Sequence, residues 1–138
     1  MAASPRILVY SATVRRSYGL LAELQLREGD AHAALESARS LESLPEGNPI
    51  ADYNTACCMS RCLGVIQDAQ WPDGKRVKIA QSYGDRAVAA LRRALERGYR
   101  NVNLIRKDPD LDPLRSRPDF QALLLDLTFP ADPFARPR

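Results

Sequence analysis

Tyr18, Leu21 and Ala22, followed beyond Gly29-Asp30 by Ala34 and Ala38, constrain this chain more than any other feature. Residues three and four apart share one face of a helix, so each set marks a stripe that has to be covered. The alanines are too slim to hold two helices apart, and the larger side chains fill the gaps on either side. Glycine alone tolerates a positive φ without strain, so Gly29 ends one helix. Asp30 caps the next, its carboxylate accepting a free N–H at the positive end of the helix dipole. The expected unit is a helical hairpin.

The spacing predicts a first helix over about 12–28, its inner face traced by Val14, Tyr18, Leu21, Ala22 and Leu24 to Leu26. Ser4-Pro5 offers an earlier cap, with proline at the first helical position. A second helix runs to about Leu44 on Ala31, Ala34, Leu35, Ala38 and Leu41, and Pro45 to Pro49 stop it. The third, about 50–66, carries Ile50, Tyr53, Ala56, Cys57, Met59 and Leu63. Pro72-Asp73-Gly74 is a turn signal, and an inserted loop is expected near 67–75. The fourth helix, about 76–97, has Ile79, Ala80, Tyr83, Ala87, Leu91, Ala94 and Leu95 inward, with Gly98 closing it. A short helix near 101–107, a tight turn at 108–114, a last helix from Pro118 to about Leu127 and an extended Phe129–Phe134 complete the chain.

Composition agrees. Glycine is scarce at 7 of 138 residues, and six of ten prolines crowd the last thirty, so the stretch before them is free to be helical. At 15.4 kDa the chain suits one domain, 1–138. It divides into a first hairpin 12–47, a second 50–98 and a closing segment 101–134. No apolar run approaches the ~20 residues of a membrane span. The first 22 residues lack acids and carry Arg6, Arg15 and Arg16, as organelle transit peptides do; they read as a basic lead-in to the first helix. Three cysteines within six residues cannot build a disulfide framework, which fits a reducing cytoplasm.

The second hairpin repeats the first. Tyr53-x2-Ala56-Cys57 parallels Tyr18-x2-Leu21-Ala22, and Ala87-x3-Leu91 parallels Ala34-x3-Ala38. This outline resembles the tetratricopeptide repeat, a helix–turn–helix unit of about 34 residues. Ala34 and Ala87 stand 53 apart, and the surplus of roughly 19 falls between the third and fourth helices. The run Asp108-Pro109-Asp110-Leu111-Asp112-Pro113-Leu114-Arg115, with Gly98-Tyr99 before it and Pro118-Asp119-Phe120 after it, is similar to the closing tetratricopeptide module of planctomycete-type bacterial serine/threonine protein kinases. The resemblance implies an all-α fold of helical hairpins in a right-handed superhelical array with a C-terminal helical cap. It also implies a non-catalytic interaction module that is scaffold or regulatory part of a signalling protein; two repeats make only a small groove, so weak binding or a homodimer is expected of the domain alone. No Gly-rich loop, His-Arg-Asp or Asp-Phe-Gly occurs, so no kinase activity resides here.

By the family pattern the concave groove receives Arg16, Gly19, Glu23, Leu26 and Arg27 from the first helix, and Asn54, Cys58 and Arg61 from the third. Such side chains hold a peptide backbone or carboxylate by charge-assisted hydrogen bonds. The expected partner is a protein or peptide, with no cofactor, metal or membrane. Other groups read as structural. Cys57, Cys58 and Cys62 have no second cysteine pair to complete a zinc site and suit close helix packing. Asp108, Asp110 and Asp112 alternate like calcium ligands, but Pro113 takes the place of the required glycine, so capping is expected. Arg86, Arg93, Arg97 and Arg100 form a basic stripe without an interleaved aromatic platform. Nucleic acid or a phosphate ligand on that stripe is the second reading.

Overall fold

The computed structural model describes residues 5–44 and 48–128, with side chains from Ala12 onward. All regular structure there is helical: α1 (Pro5–Glu28), α2 (Ala31–Ser43), α3 (Pro49–Asp68), α4 (Asp73–Glu96), α5 (Val102–Lys107), a 3-10 helix (Pro109–Leu114) and α6 (Pro118–Thr128). The expected extended tail and the Pro45–Gly47 part of the second helix's stop lie outside the described residues.

Local chemistry sets the boundaries. Gly29 has φ 71° and Gly98 φ 103°. At both, paired backbone bonds close the preceding helix: Gly29 N to Leu26 O and Asp30 N to Gln25 O, then Gly98 N to Leu95 O and Tyr99 N to Ala94 O. Those crossed bonds satisfy carbonyls that a helix end otherwise leaves open. Asp30 accepts from Ala33 N at 3.1 Å, Asn48 from Ala51 N at 2.8 Å and Asn101 from Leu104 N at 3.1 Å. Alanine at Gly98 is expected to cost about 1–3 kcal/mol because a Cβ strains that φ. Alanine at Gly64, which is mid-helix and has nothing within 4 Å of an added Cβ, is expected to add about 0.5–1 kcal/mol. Urea midpoints of the two variants should move in opposite directions.

α1 and α2 are joined by two residues and pack as an antiparallel pair; α3 and α4 form the most extensive contact. The seams are slim: Ala34, Ala38, Ala56, Ala87, Ala90 and Ala94 are wholly buried. Ile105, Leu111, Leu114, Phe120 and Leu123, from the three closing elements, bury themselves in the same core.

Four expectations need correction. The inserted loop at 67–75 is only Ala69–Pro72, because the surplus residues lengthen α3 and α4. Pro72 takes an extended ψ of 144° at the N-cap, and Asp73 begins α4 instead of turning the chain. Its carboxylate sits near the positive helix end and pairs with Arg76, which also donates to Gln67 O at 3.1 Å. Second, α1 begins at Pro5, not near Ala12, since nothing before Gly29 breaks it. Third, its inner stripe is only partly covered. Ala22 is buried, but Leu21 and Leu24 are 44% and 53% exposed, since the described contacts of α1 with α2 and α3 do not cover them. Fourth, Ile50, expected inward, is 66% exposed.

Candidate functional site

A trough of about 680 Å³ lies between α1 and α3. Two pairs of contacts fix how its walls run. Arg15, in the first half of α1, donates from Nη2 to Leu44 O at 3.4 Å, just ahead of the start of α3. Farther on, Arg61 of α3 grips Glu23 of α1, with Nη2 3.3 Å from Oε1 and Nη1 on the other oxygen. The two walls are therefore parallel. Leu104 of α5 and Asp108 and Asp110 of the 3-10 segment close a third side. A second hollow shares Asn48, Ile50, Tyr53, Asn54 and Leu104 and continues past Tyr99 and Arg100.

Of the residues named from sequence, Arg16, Gly19, Glu23, Leu26, Asn54, Cys58 and Arg61 line the trough. Arg27 does not: it stands outside and pairs with Glu23 at 3.2 Å, where a guanidinium one helical turn later naturally reaches. The sequence reading missed the third side. Sequence alone reads Asp108 and Asp110 as caps, and only their chain-distant partners put them here.

Asp108 does cap the 3-10 helix, accepting from Asp110 N at 3.0 Å. Its other oxygen accepts from the Tyr53 hydroxyl at 2.5 Å and lies 3.8 Å from Cys57 Sγ. Tyr53 stacks on Tyr99 with ring centroids 4.5 Å apart. Burial, reinforced by the Asp108 carboxylate, raises the Tyr53 phenol and pushes the Cys57 thiol up to about 12. Burial also raises Asp110, the Asp108 charge adding to it and Arg61, 3.8 Å away, opposing it. Cys57 and the two aspartates offer three donor atoms within 4.8 Å. The thiol stays protonated at neutral pH, the Asp108 oxygens already accept hydrogen bonds and Arg61 faces Asp110, so the group is arranged for its own hydrogen bonds.

Cys58 is half-buried on the trough wall and Cys62 is fully buried. The Cys62 thiol beside it, followed by the Arg61 charge, lowers Cys58. His32, on α2 and not on the helix of the cysteines, is exposed and 3.5 Å from Glu36 one turn on, so it does not stand ready to activate a thiol. The basic stripe of α4 is partly engaged within the fold: Arg97 and Arg93 reach Asp52 at 2.9 and 4.0 Å, and Arg86 lies 3.9 Å from Glu42.

Hydrogen bonds from Arg61, the largest cause, hold Glu23 below its ordinary carboxylate value, and Arg117 does the same to Asp119. A folded value below the unfolded one adds stability above the unfolded pKa and loses it as pH falls through the folded one. Urea midpoints are expected to decline on acidification below the ordinary carboxylate range, less steeply in Glu23→Gln.

No family model matches the chain, and no solved structure does. The chain is similar to a chloroplastic protein of Arabidopsis thaliana, with 33% identity over 112 residues. The match takes in 74% of this chain and 28% of that protein, so the chain spans less than a third of its relative's length.

Proposed function

We propose that this chain is a non-catalytic protein–protein interaction module of tetratricopeptide type. In this reading α1–α2 and α3–α4 are its two hairpins in a right-handed superhelical array, and the closing helices form its cap. The trough between α1 and α3 holds a peptide or partner helix. One observation carries the reading. Exposed Leu20 (64%), Ile50 (66%) and Leu104 (39%) converge on a single concavity that also presents the exposed Arg16 and Asn54. Apolar surface gathered in a hollow with a few polar groups is what a binding cleft offers.

The second reading, nucleic acid on the α4 stripe, has less support because Asp52 and Glu42 draw three of its arginines inward. The match to a chloroplast protein leaves attachment to a bacterial kinase resting on resemblance alone. Among the described residues no helix is long and apolar enough to cross a membrane.

Proteins retained from a lysate of the source cells by the immobilised wild type should be lost from Leu20→Glu/Ile50→Glu. Both residues are exposed, so the circular dichroism melt should not move. Retention that is unchanged in the double variant but falls steeply with salt would instead favour the arginine stripe.

A further inference from the structure

α1 is buried on one side and bare on the other. Ala22 is 1% exposed, whereas Leu20 and Leu24, two residues to either side of it, are 64% and 53% exposed. Two residues turn a helix by about 200°, so both leucines point away from the seam that Ala22 enters. Arg16, Leu20, Leu24 and Glu28 recur every four residues, and all four are exposed. They form one continuous row along the outside of the helix. Neither charged member is spent within the fold: among the described residues Arg16 and Glu28 take part in no ion pair. Arg27, beside the row, is already paired with Glu23 at 3.2 Å. Leu21, 44% exposed, flanks the two leucines.

The order of that row, cation–leucine–leucine–anion, is its own complement when reversed. A two-fold axis passing between Leu20 and Leu24 sets two such helices antiparallel and gives every residue a definite opposite number. Leu20 meets Leu24 of the second copy, and Arg16 meets its Glu28, each contact occurring twice. A parallel pair would instead set Arg16 against Arg16 and Glu28 against Glu28. We infer that α1 pairs antiparallel with α1 of a second copy of this chain through the row Arg16, Leu20, Leu24 and Glu28. Such an interface is isologous and closes at two subunits. From Arg16 to Glu28 the helix spans about 18 Å. A contact of that length is small for a specific interface, so association follows concentration. Leu24 and Glu28 do not line the trough, although Arg16 and Leu20 do. The surface is therefore separate from the proposed docking site, and changes at Leu24 and Glu28 leave the trough lining intact.

The test is sedimentation velocity of the full chain from micromolar to millimolar concentration, in which the wild-type mass should rise towards twice that of the monomer. Arg16→Glu and Glu28→Arg should each weaken association about tenfold, because two attractions become two repulsions. An equimolar mixture of these two variants should associate about as tightly as the wild type, since each copy then supplies the charge that the other lacks. Misfolding of either variant cannot produce that recovery. Leu24→Glu sets a carboxylate against Leu20 of the second copy and should stay monomeric at every concentration. A wild type that is monomeric throughout would overturn the interface. So would a Leu24→Glu chain that still associates, or a mixture no tighter than either variant alone.

Discussion

Phe120→Ala is expected to lower the stability of the fold by about 3–5 kcal/mol, the usual cost of emptying a fully enclosed phenylalanine site. Phe120 has no exposed surface, and the Arg115 guanidinium lies over its ring, 5.8 Å from the centroid. With Ile105, Leu111, Leu114 and Leu123 it fastens three short elements to the core of α3 and α4. α6 has 11 residues, too few to persist as an isolated helix in water. Loss of its anchor therefore frees the helix as well as leaving a cavity. Marginal stability of ~5–15 kcal/mol means that this change alone removes a large part of the total. Urea unfolding should show the loss. Leu125→Ala on the 59% exposed side of the same helix should shift the midpoint little, and Phe120→Leu should fall between.

The second large effect is expected at Asp108. Replacing it with alanine removes a cap, at about 0.5–2 kcal/mol, and strips a buried phenol of its charged acceptor, at about 1.5–3 kcal/mol. A combined loss of about 2–5 kcal/mol follows from those two contributions. Tyr53 is 5% exposed and cannot turn to water without breaking its stack on Tyr99. The near-ultraviolet circular dichroism of the tyrosines should therefore change along with the urea midpoint. Asp108→Asn keeps an oxygen for the cap and should lose less. Spectrophotometric titration should show the Tyr53 phenol ionising closer to its ordinary value in the alanine variant, since a carboxylate that raises it has gone.

Much of the helical layout is legible in the sequence. Helix positions followed from apolar residues three and four apart, from Gly29 and Gly98 as stops and from Asp30 as a cap. All of these are local, one residue acting on its immediate neighbours. The failures are equally physical. Pro72-Asp73-Gly74 favours a turn in isolation, but the same three residues also start a helix when the chain behind them is free to wind, and α4 takes that option. Leu21 and Leu24 share a stripe with Ala22, yet periodicity reports only that residues share a face and not that a neighbour covers it. The trough residues of α1 and α3 could be named in advance because regular helices project their side chains predictably. Asp108 and Asp110 could not, since their place depends on a 3-10 segment brought back against α3 from more than forty residues away. Their alternation with prolines was visible; what it faced was not.

The most direct test of the trough as the docking surface is photo-cross-linking in the source cells, with benzoylphenylalanine placed at Asn54 in one variant and at Arg92 in another. Asn54 opens into the trough, and Arg92 is exposed on α4 away from it. The account predicts discrete cross-linked protein bands from position 54 and none from position 92. Bands from position 92 with none from position 54 would contradict it.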